Sequence, residues 1–163
     1  MMPPANPLCG ALRDKIYEQI ERTTHLIALV PADRHASFGK LLGHLLDCCA
    51  GICAILAAAA PDRLAHFSEL RTLPVNHVCT PAEALDRIGV YRTRIDEGFA
   101  AVTDADLARL VPTVFVRKGE PLFTLFLGNL EHLINHKHEL FTCLKQMGVP
   151  VATADLYHLR GVE

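Results

Sequence analysis

The stretch EHLINHKHEL, residues 131–140, carries three of the chain's nine histidines within seven positions. Imidazole is a common ligand for a divalent metal and its charge changes near neutral pH, so such a run reads as a metal site, a basic surface patch or an accident of composition. Spacing decides which of the three can act together. On a helix advancing about 100° per residue, with Leu122 at zero, Phe126, Leu133, Leu140 and Leu144 lie within about 40° of it and define an inward face. His132 and His136 then fall at about 280° and 320°, one turn apart on the edge of that face, whereas His138 falls at about 160° and points outward. An i, i+4 pair suits one ion, because Cβ atoms about 6 Å apart let two ring nitrogens converge at roughly 2.1 Å from a shared centre. The signal of the pair alone is modest, since the sequence lacks the glutamate of an H-E-x-x-H pattern.

A third histidine adds weight. In LLGHLLDCC, His44 sits about 80° from the centre of an apolar stripe, in a helix with almost no other polar side chain facing inward. An unpaired imidazole there costs about 1 to 3 kcal/mol, so it must find a partner. A facing helix carrying His132 and His136 offers one through a metal ion; a backbone carbonyl or Glu139 offers another. His25, His35, His66 and His77 lie off the stripes or in connections, where solvent is the default.

Four long helices are needed to position these residues. The first is expected over about Leu8–Val30, with Leu12, Ile16, Ile20, Thr23, Ile27 and Val30 recurring at three and four and Pro31 closing it. The second runs from about Ser37 to Ala60, burying Phe38, Leu41, Leu42, Leu45, Cys49, Ile52 and Leu56, and stops at Pro61. A crossover follows to Cys79, read as a short helical turn and then irregular chain around Pro74. TPAE opens the third helix, with Thr80 as N-cap, Pro81 at the first position and Glu83 closing a capping box; it continues through Leu85, Ile88, Ile95 and Phe99 to about Ala101. Thr103 and Asp106 can cap one more turn, and TVFVRKG reads as extended or hairpin-like. The fourth helix runs from Pro121 to Met147 and ends at GVP. In the tail, Leu156, Tyr157 and Leu159 are apolar enough to dock. Gly43, Gly51 and Gly128 are unfavourable inside helices by about 1 kcal/mol each, which close approach or a neighbouring pocket would explain. The reading is an all-α, single-domain four-helix bundle with a crossover connection, spanning 1–163.

Composition agrees. Half of the 163 residues are hydrophobic and the formal net charge is −2, with no basic run, so nucleic acid is not an expected partner. The longest apolar run, Ala50–Ala60, is too short to span a bilayer, and MMPPANPLCGALRDK lacks the features of a signal peptide. A cytoplasmic protein is expected, with its six cysteines reduced and packed in the core.

The order of parts, a lone histidine in GHLLD of the second helix and then EHLINHKHELFTCLKQMGVP in the last, resembles the DinB/YfiT-like superfamily of small bacterial proteins. The resemblance implies a four-helix bundle of that topology, often a homodimer, holding one divalent metal by three histidines matched here by His44, His132 and His136. Many members read His-Arg-Gly-Gln where this chain has His136, Lys137, His138 and Glu139; the basic residue is kept and the Gly and Gln are not. Characterised relatives include bacillithiol transferases and mycothiol-dependent isomerases, which implies a thiol-dependent S-transferase or hydrolase acting on a small molecule. The family name refers to DNA-damage-inducible expression and not to DNA binding.

Three imidazoles leave a position open on the metal, as in a catalytic site. Zn, Ni, Fe or Cu suits such donors, while a dinuclear iron site would need glutamates that the first and third helices lack. Asp47 and Asn135 are candidates for the shell behind the ligands. Glu139, near the direction of His132, is the candidate catalytic residue, as base, as fourth ligand or by orienting an imidazole. The rival from another class is a non-catalytic, stress-related binding bundle whose histidines are vestigial or structural.

Overall fold

A computed structural model describes residues 6–113 and 116–157, and about three quarters of these are helical. Four long helices dominate: α1 (Pro7–Ala28), α2 (His35–Ala59), α3 (Pro81–Ala101) and α5 (Leu122–Gln146). Each packs mainly on two others, α2 against α3 and α5, and α1 against the same pair. The apolar stripes cause this packing. Leu12, Ile16, Ile20, Thr23, Ile27 and Val30 are all buried, as are Phe38, Leu42, Leu45, Cys49, Ile52 and Leu56. Leu41, at the margin of its stripe, is half-buried. α2 is long and apolar enough to cross a membrane by length and composition, but half of that window is buried inside the protein, as the centre of a helical packing requires.

The connections differ from their sequence-based expectations in instructive ways. α2 begins at His35, directly after a 3₁₀ turn over Ala32–Arg34, and not at Ser37. The crossover holds a longer 3₁₀ segment, Ala65–Thr72, before its irregular part. At the start of α3, Thr80 Oγ1 accepts a hydrogen bond from Glu83 N at 3.2 Å. The Glu83 carboxylate does not close the expected capping box, because it meets His77 Nε2 at 2.8 Å. A complete box is found instead at the short α4 (Asp104–Leu107), between Thr103 and Asp106. Asp104 also caps a distant helix: its carboxylate accepts Leu8 N at 3.1 Å and Cys9 N at 2.8 Å in the first turn of α1. These donors hold the Asp104 carboxyl below its usual range.

The hairpin-like expectation corresponds to a two-residue antiparallel pair, β1 (Leu110–Val111) with β2 (Glu120–Pro121); Val114 and Phe115 of that excursion lie outside the described residues. Pro121 is the N-cap of α5 and not its first residue. In the tail, α6 (Thr153–Tyr157) buries Leu156 and packs on α1, while Leu159 and His158 lie outside the described residues. Three histidines assigned to solvent have partners: His25 Nε2 meets Asp155 Oδ1 at 3.1 Å, His66 Nε2 meets Glu97 Oε1 at 2.7 Å, and His77 meets Glu83 as above. All six cysteines are free thiols.

Candidate metal centre

α2 and α5 meet along a seam that a side chain at Gly51 would block. A Cβ there would lie 2.4 Å from Asn129 Oδ1, and Asn129 Nδ2 donates to Cys48 O at 2.8 Å. This close approach carries His44 of α2 across to His132 and His136 of α5. His44 Nε2 and His132 Nε2 are 3.1 Å apart. The ring centroids of His136 lie 4.3 Å from those of His44 and 4.7 Å from those of His132. One ligand atom from each residue falls within 4.8 Å of the others, and all three side chains are half-buried. His138 is exposed, as its angle on the helix requires.

The nitrogen that each ring turns away from this centre has a partner. His44 Nδ1 donates to Asn76 Oδ1. His136 Nδ1 donates to Glu139 Oε2 at 2.8 Å. His132 Nδ1 lies 3.6 Å from Cys48 Sγ, whose own hydrogen is directed to His44 O at 3.6 Å. Burial, reinforced by Asp47, pushes the Cys48 thiol up to about 12, so it stays protonated and its sulfur is left to accept. With all three Nδ1 atoms protonated, the Nε2 atoms carry the lone pairs. Two lone pairs facing each other at 3.1 Å repel, and a cation between them turns that repulsion into attraction. Ligand nitrogens at about 2.1 Å from one ion stand roughly 3.0 to 3.4 Å apart. The residues present therefore fit a divalent metal.

Asn76 owes its place to the crossover. A Cβ on Gly43 would lie 1.7 Å from His77 O, so only glycine lets the chain lie against α2 at this point. Asn76 N donates to Gly43 O at 3.0 Å and Cys79 N donates to Gly39 O at 3.2 Å. Asn76 itself adopts φ of 56°, a left-handed conformation that asparagine tolerates better than most residues. Neither Asn76 nor Cys48 was singled out from the sequence as a partner of the histidines. The available signal was Gly39 and Gly43, one turn apart on the most apolar helix, where backbone must approach backbone.

The other named candidates fall in different places. Asp47 is half-buried, and its negative charge acts on His132 against the dominant effects, burial and the neighbouring His136 and His44, which together hold that imidazole below its ordinary value. Glu139 stands behind His136, on the ring edge away from the centre. Asn135 is exposed.

No family model, curated protein or solved structure matches this chain. What the centre can do is thus set by its donors and its surroundings. Beside His132 a groove of about 620 Å³ runs along the first turns of α5, lined by Gly51, Ile55, Thr124, Leu125, Gly128 and Asn129. Gly128 is open, with nothing within 4 Å of an added Cβ; it makes room beside the groove and no close helix contact. Glu120 is the groove's charged lining residue. A second hollow of about 490 Å³ lies between α2 and the 3₁₀ segment and is lined by small and apolar residues such as Ala54, Ala58, Leu64 and Phe67; none of the three histidines lines it.

Proposed function

We propose that this chain is a DinB/YfiT-like four-helix bundle in which His44, His132 and His136 hold one divalent ion, zinc, nickel or iron, and that it acts as a thiol-dependent transferase or hydrolase on a small molecule. The observation that carries this reading is the convergence of three imidazoles whose outward nitrogens are all tied, beside an open groove. A bound ion would supply Lewis acidity, holding a thiol as thiolate or lowering the pKa of water toward about 7.

The chain's own residues do the rest. Asn76, Cys48 and Glu139 fix the tautomer and the rotation of the three rings, which places the lone pair of each neutral imidazole on its inward nitrogen. Glu139, bonded to His136, serves as a positioning residue in this arrangement. Asp47 contributes negative charge that favours a cation nearby. The groove offers Ile55 and Leu125 to an apolar part of a small molecule, and the carboxylate of Glu120 disfavours an anionic group beside it.

Metal analysis of protein purified without a histidine tag tests the proposal. One equivalent of zinc, nickel or iron that is lost in His44→Ala and in the His132→Ala/His136→Ala double variant supports it, together with turnover of a low-molecular-weight thiol and an electrophile that stops on chelation. Failure of the three histidines to retain any of these metals overturns it; metal bound without turnover reassigns the protein to a non-catalytic binding role.

A further inference from the structure

A second group of donors lies where the crossover enters α3. His77, Cys79 and Glu83 each bring one ligand atom to within 4.8 Å of the others. We propose that these three residues form a second divalent-metal site, with thiolate, imidazole and carboxylate donors of the kind that suits zinc.

The backbone fixes all three independently of any ion. Cys79 is anchored by its N–H to Gly39 O at 3.2 Å, and the His77 carbonyl lies against Gly43. Glu83 stands in the first turn of α3, whose N-terminus is capped by Thr80. Two features of the side chains bear on this. His77 Nδ1 is buried and has no hydrogen-bond partner among the described residues, and such an atom loses its hydration for nothing in return. Glu83 also leaves the capping box unclosed and turns to His77 Nε2 at 2.8 Å. A plain ion pair accounts for the second feature and not for the first, nor for a buried thiol beside both groups. An ion held by Cys79 Sγ, His77 Nδ1 and the Glu83 carboxylate would employ all three side chains and the orphaned nitrogen, as zinc sites do.

Binding releases the Cys79 thiol proton to solvent and leaves the thiolate sulfur on the ion. Three protein donors leave a fourth position for water. The consequence reaches the first centre, because Asn76, the partner of His44, is bonded to the same stretch of α2. An ion at His77, Cys79 and Glu83 pins the segment that orients His44.

Cobalt distinguishes the two sites, since thiolate ligation gives a near-ultraviolet charge-transfer band and an all-imidazole site gives none. Tag-free apoprotein under reducing conditions is titrated with Co²⁺, and folding of every variant is checked by circular dichroism. The expected result is a thiolate band in the wild type that disappears in Cys79→Ser together with one equivalent of cobalt, while the His44→Ala/His132→Ala/His136→Ala variant keeps it. Glu83→Gln, which leaves the Thr80 cap on the backbone N–H intact, weakens the band-forming affinity by roughly tenfold. Absence of the band in the wild type overturns the proposal. So does a band that survives Cys79→Ser and vanishes in Cys48→Ser, because the sulfur would then belong to the first centre.

Discussion

Each imidazole of the His44, His132 and His136 centre leans on a different acceptor: an amide oxygen, a thiol sulfur and a carboxylate. The amide is the most consequential, since it arrives from a separate segment and is fixed by backbone bonds to α2. Asn76→Ala removes the acceptor from His44 Nδ1 while leaving all three ligands in place. The ring is then free to rotate or to exchange tautomers, and the expected outcome is a loss in metal affinity of about 10- to 100-fold, the usual range for removing a group behind a ligand. Competition with a chelator of known affinity measures it. Unchanged affinity in a folded Asn76→Ala protein would mean that packing alone orients His44.

At the scale of elements, two glycines test whether backbone contact or helix propensity governs the site. Gly43→Ala places a methyl group 1.7 Å from His77 O, so the segment at 76–79 must leave α2 and surrender two backbone hydrogen bonds. A loss of about 3 kcal/mol is expected, with metal affinity falling alongside because Asn76 moves too. Gly128→Ala meets nothing within 4 Å and gains roughly 0.5 to 1 kcal/mol from helix propensity. Urea unfolding of the two variants decides the matter, and equal effects of the same sign would refute the contact argument. The same pair shows what a sequence can reveal. The four long helices were legible because a 3.6-residue stripe such as Leu12, Ile16, Ile20 and Thr23 is a local pattern. His44, His132 and His136 were legible because their angles on those stripes are local as well. The docking of His77 on Gly43, the use of Glu83 for His77 in place of the capping box, and the tie from Asn76 to His44 were not, since each depends on which segment lands on α2. Asn135 is adjacent to a ligand in sequence and exposed; Asn76, 32 residues beyond His44, reaches that ring through space.

For the whole molecule, two kinds of buried titratable group pull stability in opposite directions at alkaline pH. Lys137 is 4% exposed between α1 and α5 and donates to Gln19 Oε1 at 2.9 Å. Burial first, then the Arg22 charge, lowers its ammonium from 10.5 to about 8. The unfolded chain therefore binds more protons than the native one across this window, and stability rises as pH climbs from about 8 to 10.5. Cys9, Cys49 and Cys53 behave in the reverse sense. Burial is the leading cause that pushes Cys9 and Cys53 up from 9.0 to about 12, and it raises Cys49 as well. The native state then retains protons that the unfolded chain has released, so stability is lost as pH rises above about 9. By pH 10 these three thiols together withdraw about 4 kcal/mol, a large share of the 5 to 15 kcal/mol typical of a domain. Lys137 returns about 2 kcal/mol between pH 7 and 10 by the same linkage. The wild type is expected to hold its stability to about pH 9 and then fall. Lys137→Met lacks the compensating term, so its stability relative to wild type should worsen by about 2 kcal/mol from pH 7 to pH 10. Urea unfolding at fixed pH steps, with reductant and chelator present, reads this difference directly. A gap between the two proteins that stays constant across the range would show that Lys137 titrates as an ordinary surface lysine and that its burial between α1 and α5 is not maintained in solution.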